Sequence, residues 1–166
     1  MKGIEITRGY MPGAIGRIVG LHGEYYGSNW GFGLFFEAKV AREMAAFLER
    51  YDDGRDGFWV AVADGSIEGS IAVDGITADA EGAHFHWFIV SERFRGHGVG
   101  NRLFSTAVEF CRRKQYRRAH LWTFEGLDPA RHIYEKHGFT LVESSWGRQW
   151  GTGVTEQRFE WTYEVT

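Results

Sequence analysis

The sequence predicts a mixed α/β domain, a central sheet of about seven strands flanked by about four helices, as one domain spanning residues 1–166. Three observations carry that expectation. An apolar strand over His84–Val90 passes through a glycine-punctuated turn, Arg95-Gly96-His97-Gly98-Val99-Gly100, straight into an amphipathic helix. The segment Asp128-Pro129-Ala130-Arg131-His132-Ile133-Tyr134-Glu135-Lys136-His137-Gly138-Phe139 carries both a start and a stop for a short helix. Around these, strand-like and helix-like apolar periodicities follow one another in the order β-α-α-β-β-β-α-β-α-β-β.

Taken in chain order, Ile4 and Ile6 alternate with polar residues, as in a half-buried opening strand. Pro12 to about His22 reads as a first helix. Gly23 to Leu34, rich in glycine and carrying Tyr25, Tyr26 and Trp30, reads as a loop. Phe36, Val40, Met44 and Phe47 recur at helical spacing and predict a second helix over Phe35–Tyr51. Phe58–Ala63 and Ile67–Val73 are strands joined by Asp64-Gly65, a hairpin signal. After the His84–Val90 strand and the glycine turn, Val99, Leu103, Ala107 and Phe110 share one helical face. His120–Thr123 is a further strand. Asp128 is placed to cap the next helix, Pro129 suits its first turn, and Gly138 can adopt the left-handed conformation that ends it. Phe139-Thr140-Leu141-Val142 then reads as a buried strand, and Thr155–Tyr163 alternates as the last one.

The glycine turn is the chemically informative segment. Without Cβ atoms at Gly96, Gly98 and Gly100, several backbone N–H groups can converge on one ligand, and the helix start behind them favours a phosphate. A P-loop would need Gly-Lys-Ser/Thr, whereas Asn101-Arg102 follows the last glycine. A dinucleotide fingerprint would need G-x-G-x-x-G and a carboxylate closing the next strand, and Leu121-Trp122-Thr123 supplies none. Nucleotide triphosphate and nicotinamide chemistry are disfavoured on those grounds.

Arg95, Gly98 and Gly100 do fill the pattern Arg/Gln-x-x-Gly-x-Gly/Ala. This resembles the pyrophosphate loop of the GNAT acetyltransferase superfamily. Ala130, Tyr134, Gly138 and Phe139 match that superfamily's later helix, A-x-x-x-Y-x-x-x-G-F. Tyr25-Tyr26-Gly27, Phe47-Leu48-Glu49-Arg50-Tyr51, Leu121-Trp122-Thr123 and Gly147-Arg148-Gln149-Trp150-Gly151 further resemble acetyltransferase domains fused behind MarR-type winged-helix regulators. The expectation is a free-standing version to which a DNA-binding role does not carry over. The resemblance implies the GNAT fold, with a twisted, mostly antiparallel mixed sheet, and transfer of an acetyl group from acetyl-CoA to a primary amine by direct attack in a ternary complex.

Site residues follow by the same resemblance. Backbone amides of Arg95, Gly96, His97, Gly98, Val99, Gly100 and Asn101 would hold the coenzyme A pyrophosphate. Ile89, Val90 and Ser91 would pair with its pantetheine arm at a splay in the sheet, Val90 N–H serving as oxyanion donor. Tyr134 stands where the family carries its tyrosine, contacting the cofactor and suited to protonate a thiolate, since a phenol pKa of roughly 10 is near that of an alkyl thiol. For the general base, Glu81 and His86 are candidates beside His84, against the readings of ordinary strand histidines and of proton loss to water. The aromatic residues Tyr25, Tyr26, Trp30 and Trp150 are expected to select the acceptor, a small molecule or a peptide amine. Leu127 occupies the position where many relatives have an asparagine that contacts pantetheine. A catalytically silent acyl-CoA-binding sensor and a transferase for longer acyl groups stay open beside the first reading.

Composition limits the partners. A net charge of −3 provides no broad basic field, so nucleic acid is not expected. The basic run Arg112-Arg113-Lys114 with Arg117-Arg118 reads as a solvated helix end, with a reach toward the coenzyme A ribose phosphate as the alternative. A single cysteine, Cys111, permits no internal disulfide, and no His/Cys/Asp grouping has metal spacing. No signal peptide or long apolar run is present, so a cytoplasmic protein without a membrane partner is expected. A homodimer is plausible from the superfamily's habit of pairing through its sheets.

Overall fold

The computed structural model describes residues 3–164. Its elements are β1 (Glu5–Arg8), α1 (Ala14–Trp30), α2 (Leu34–Glu49), β2 (Gly57–Ala63), β3 (Ser66–Asp74), β4 (Ala83–Val90), a 3₁₀ turn (Glu92–Phe94), α3 (Val99–Arg113), β5 (Arg118–Phe124), α4 (Asp128–Lys136), β6 (Thr140–Gly147) and β7 (Val154–Thr162). The seven strands form one open sheet in the order β1-β2-β3-β4-β5-β7-β6. Every neighbouring pair is antiparallel except β4 and β5. This is the mixed, mostly antiparallel α/β architecture that the sequence resemblance implies.

Each face of the sheet buries its own apolar cluster. On one side Leu103, Phe104 and Phe110 of α3 pack against Phe85, Phe139, Phe159 and Trp161, together with Tyr134 of α4. On the other, Ile18 of α1 and Phe36, Met44 and Phe47 of α2 pack against Phe58, Val60, Ala72 and Phe124. The β2–β3 hairpin turns where the sequence marks it: Asp64 and Gly65 both have positive φ, 52° and 77°, the geometry that matches strand twist in a two-residue turn.

Three expectations are corrected. The glycine-rich segment beginning at Gly23 is not a loop, because α1 continues unbroken to Trp30. Its stripe Ile18, His22, Tyr26 keeps helical spacing and is buried or half-buried, while Gly23 and Gly27 lie at close approaches. A Cβ at 23 would come 2.5 Å from Glu37 Oε1 of α2, and one at 27 would come 3.3 Å from Phe32 O. Packing thus offsets the roughly 1 kcal/mol that each helical glycine costs relative to alanine. The true connection is Gly31–Gly33, where Gly31 ends α1 at φ 70° and donates to Gly27 O. Second, Leu127 rather than Asp128 occupies the cap of α4, and Asp128 is its first helical residue, where a carboxylate still suits the positive dipole end. Third, Phe139 is buried, but β6 beyond it is an exposed edge strand with Leu141 and Val142 open to solvent.

The middle of the sheet is irregular, and this is what builds a site. β4 and β5 pair only at Ala83 with Ala119 and His84 with His120. Beyond that point no pairing joins them, so the rest of β4 has a free edge inside the sheet. On its other side β4 carries a bulge opposite Ser70–Ala72, with Trp87 in the left-handed region at φ 50° and its carbonyl accepting from Ser70 Oγ at 2.6 Å.

Candidate active site

The free edge of β4 runs into the glycine turn. Gly96 and Gly98 both have φ 79°, a conformation that side-chain-bearing residues adopt only at a cost, and Gly98 is the residue from which α3 starts. No side chain caps that helix start, so its first-turn amides are available to a ligand. Gly100 serves packing: a Cβ there would meet Ile133 Cδ1 of α4 at 3.2 Å.

A cleft of about 590 Å³ opens over this segment, walled by Ile89, Val90, Arg95, Gly96, Gly98, Val99, Gly100 and Asn101 on one side and by Pro129, Ala130 and Ile133 of α4 on the other. Tyr25 and Tyr26 of α1 close its inner end. Arg95 reaches across, donating from Nε to Val90 O at 3.1 Å and lying 3.7 Å over the Tyr25 ring. Asn101 Oδ1 accepts from His137 Nε2 at 2.9 Å, which places that imidazole's proton on Nε2. An elongated ligand with an anionic head fits here: a splayed strand edge for its length and a positive-φ turn at a helix start for its charge.

A second cavity, of about 190 Å³, adjoins the first. Its lining includes Tyr134, His84, His86, Trp122, Thr123, Gln149 and Trp150, with Phe36, Lys39, Val40 and Glu43 from α2. Three side chains, Tyr26, Phe88 and Leu127, line both cavities and form the neck between them.

The electrostatics of this cavity are set by burial. Desolvation pushes the Tyr134 phenol up to about 12, with the Thr123 hydroxyl, which hydrogen-bonds it, acting in the other direction. His86 is lowered to about 4, chiefly by burial, with Asp74 opposing. His84 is lowered well below its usual value by burial and then by His86 and His120. His120 is lowered to about 4, by burial and then by Arg158. The three rings are neighbours, with centroids 3.6 Å apart for His84 and His86 and 4.4 Å apart for His84 and His120. These imidazoles are uncharged at neutral pH. Among the described residues, no grouping of histidine, cysteine and carboxylate side chains could hold a metal ion.

The expected site residues divide by position. Tyr134, His86, Trp150 and Tyr26 come together around the smaller cavity, and the residues from Ile89 to Asn101 form the larger one, with exceptions. Ser91 is buried with its Oγ unpartnered and His97 is exposed; neither lines the cleft. Glu81 is exposed in the turn before β4 and lines neither cavity; its contribution is to His120, whose ring its backbone hydrogen-bonds. Tyr25, expected on the acceptor side, belongs to the larger cleft beneath Arg95, because α1 directs adjacent residues to different sides. Trp30 packs edge-on against Phe124 and Tyr25 behind the neck without reaching either cavity. Cys111 is buried with its thiol pKa raised by desolvation, which removes it as a nucleophile. The basic run from Arg112 lies outside the cleft, with Arg112 beside Glu109 and Arg118 donating to Ala80 O. Lys39 and Glu43 were missed; their spacing of four on one face of α2 was the available signal.

The two cavities meet at a narrow neck beside the split in the sheet. Residues 21–139 match the model of the acetyltransferase (GNAT) family, and the chain belongs to that family. It is 29% identical over 125 residues to an uncharacterized N-acetyltransferase of Methanocaldococcus jannaschii, a match covering 72% of this chain. The match spans 54% of that relative's length, so the chain answers to about half of it. Among solved structures it is similar to an acetyltransferase from Streptococcus agalactiae, with 21% identity and a TM-score of 0.74 over 98% of this chain and all of the other. It is also similar to a Salmonella typhimurium protein determined with its cofactor acetyl-CoA, with 14% identity and a TM-score of 0.74 over 98% and 96% of the two chains.

Proposed function

We propose that this chain transfers the acetyl group of acetyl-CoA to the primary amine of a small acceptor by direct attack, without a covalent enzyme intermediate. The observation that carries the reading is the junction of the two cavities: the glycine turn and free strand edge lie on one side of the neck, Tyr134 and the neutral histidines on the other. Acetyl-CoA supplies an activated thioester. Everything else is positioning and proton handling by the protein.

In this reading the turn from Arg95 to Asn101 and the start of α3 bind the pyrophosphate through backbone amides, and Arg95 adds a charge-assisted bond once it swings away from Val90 O. Ile89 and Val90 offer main-chain groups to the pantetheine arm, and the Val90 N–H faces the reacting carbonyl. Leu127 replaces a polar contact with an apolar wall at the neck. Tyr134 hydrogen-bonds the departing sulfur and passes it a proton; its own pKa near 12 keeps that proton in place beforehand.

His86 takes the amine's proton late. Removing a proton from an alkylammonium of pKa about 10 with an imidazole of pKa about 4 is uphill by roughly six units, or about 8 kcal/mol. After the N–C bond forms the nitrogen is far more acidic, and a neutral imidazole beside it suffices. The acceptor therefore enters as free base, and the small aromatic-walled cavity selects a compact one.

The test is thiol release from acetyl-CoA across a panel of small amines and peptides, with coenzyme A binding measured by calorimetry. Thiol release with at least one acceptor is expected. Binding of coenzyme A with no thiol release over the panel would instead establish the silent sensor, which the apolar Leu127 favours; no binding would overturn both.

A further inference from the structure

Of the three side chains that line both cavities, Phe88 and Leu127 are apolar, and Tyr26 alone carries a hydrogen-bonding group. A thioester held in the larger cleft and attacked from the smaller one has its carbonyl at that neck. We propose that the Tyr26 hydroxyl is a catalytic group, donating a hydrogen bond to the acetyl carbonyl oxygen as negative charge builds on it. This rests on the acetyl-transfer reading and adds a side-chain donor to the Val90 N–H.

The setting suits such a donor. The Tyr26 ring is fixed from several directions, with centroid distances of 5.2 Å to Phe36, 5.8 Å to Phe32, 5.9 Å to Phe124 and 6.0 Å to His22. Fixing a donor before reaction removes the reorganisation that water would require, which is how oriented dipoles lower a barrier. No described group is hydrogen-bonded to this hydroxyl, so it is free for a ligand. Burial, and then the nearby Tyr134 and Tyr25 phenols, push its pKa up, against the opposing pull of Arg95. It therefore stays protonated and serves as a donor rather than a base.

The electron balance assigns the two phenols different tasks. As the amine nitrogen bonds to carbon, the carbonyl π pair moves onto oxygen, where Tyr26 O–H donates. When the C=O bond re-forms, the C–S pair leaves with sulfur and takes the Tyr134 proton. The proton lost by nitrogen goes to His86 or water and returns to Tyr134 through solvent.

The experiment compares native protein with Tyr26→Phe. Steady-state kinetics are expected to show kcat lower by about 10²-fold, with KM for acetyl-CoA and the Kd of coenzyme A within about twofold of native. A second readout needs no turnover: the stretching frequency of ¹³C-carbonyl acetyl-CoA, bound without acceptor, is expected lower than in water and to move back up in the variant. Native-like kcat together with an unmoved frequency overturns the proposal while leaving acetyl transfer intact. Failure of native protein to bind acetyl-CoA at all overturns both readings. If Tyr26→Phe does not fold, 3-fluorotyrosine at position 26 keeps the shape with a more acidic phenol; a further lowering of the frequency supports the bond, and no change overturns it.

Discussion

At the scale of single residues, the smaller cavity depends on burial more than on charge pairs. Tyr134 is 6% exposed, and desolvation lifts its pKa to about 12, so it keeps its proton at any physiological pH. Tyr134→Phe is expected to lower kcat by about 10²-fold or more while KM for acetyl-CoA changes little, because the lost bond forms only as sulfur departs. Steady-state kinetics from about pH 6 to 10 check this, and unchanged turnover over that range would remove the acid role. The position of this tyrosine was legible in the sequence, since Ala130, Tyr134, Gly138 and Phe139 belong to one short helix with its own stop signal. Local patterns survive without tertiary knowledge. The separation of Tyr25 from Tyr26 was not legible, because the glycines around them read as a loop, which assigns adjacent residues to no particular face.

At the scale of elements, glycines explain both what could be read and what could not. Gly96 and Gly98 have a conformational reason, positive φ at a helix start, which a sequence pattern can announce. Gly23, Gly27 and Gly69 have packing reasons, which depend on a neighbour distant in the chain. Gly69 lies within β3 opposite Val90, and a Cβ there would sit 2.9 Å from Ile89 O and 3.1 Å from Leu103 Cδ1. A backbone carbonyl cannot yield as a flexible side chain does, so Gly69→Ala pushes the end of β4 outward. The expected result is a loss of about 1–3 kcal/mol in stability and a weaker Kd for coenzyme A, since Ile89 and Val90 are displaced together. Denaturant unfolding and calorimetry read the two effects; native values for both would show that β4 has slack. The division between β4 and β5 is likewise a tertiary fact. Nothing in the apolar run His84–Val90 announces that β4 pairs with β5 only at Ala83 and His84, and the splay was foreseen only through the family resemblance.

For the whole molecule, the buried histidines couple folding to acidity. His22 is 5% exposed and donates from Nδ1 to Ile18 O at 2.8 Å, yet burial lowers its pKa from 6.5 to about 4. His86 and His120 are lowered to about the same value, and His84 is lowered in the same direction. An unfolded chain takes up these protons near pH 6.5, whereas the folded chain resists until about pH 4. Stability from this source is complete above about pH 6.5 and drains away as pH falls toward about 4, on the order of 3 kcal/mol for His22 alone. Thermal melts between about pH 7.5 and 4.5 are expected to show a steep loss, and His22→Gln is expected to flatten the profile by one histidine's share. Equal melting temperatures at the two ends would contradict the burial argument. Helix and strand order was readable along most of the chain, but this coupling was not, because a histidine's surroundings are assembled from α1, β4 and β5 together.

The unpaired stretch of β4 has one more implication. A gap in a ladder of main-chain hydrogen bonds turns part of the fold's own cohesion into affinity, since the same amides and carbonyls that would cement two strands are held in reserve for a guest. On the proposed reading the domain is an arch with its keystone left out, and coenzyme A is expected to raise its melting temperature.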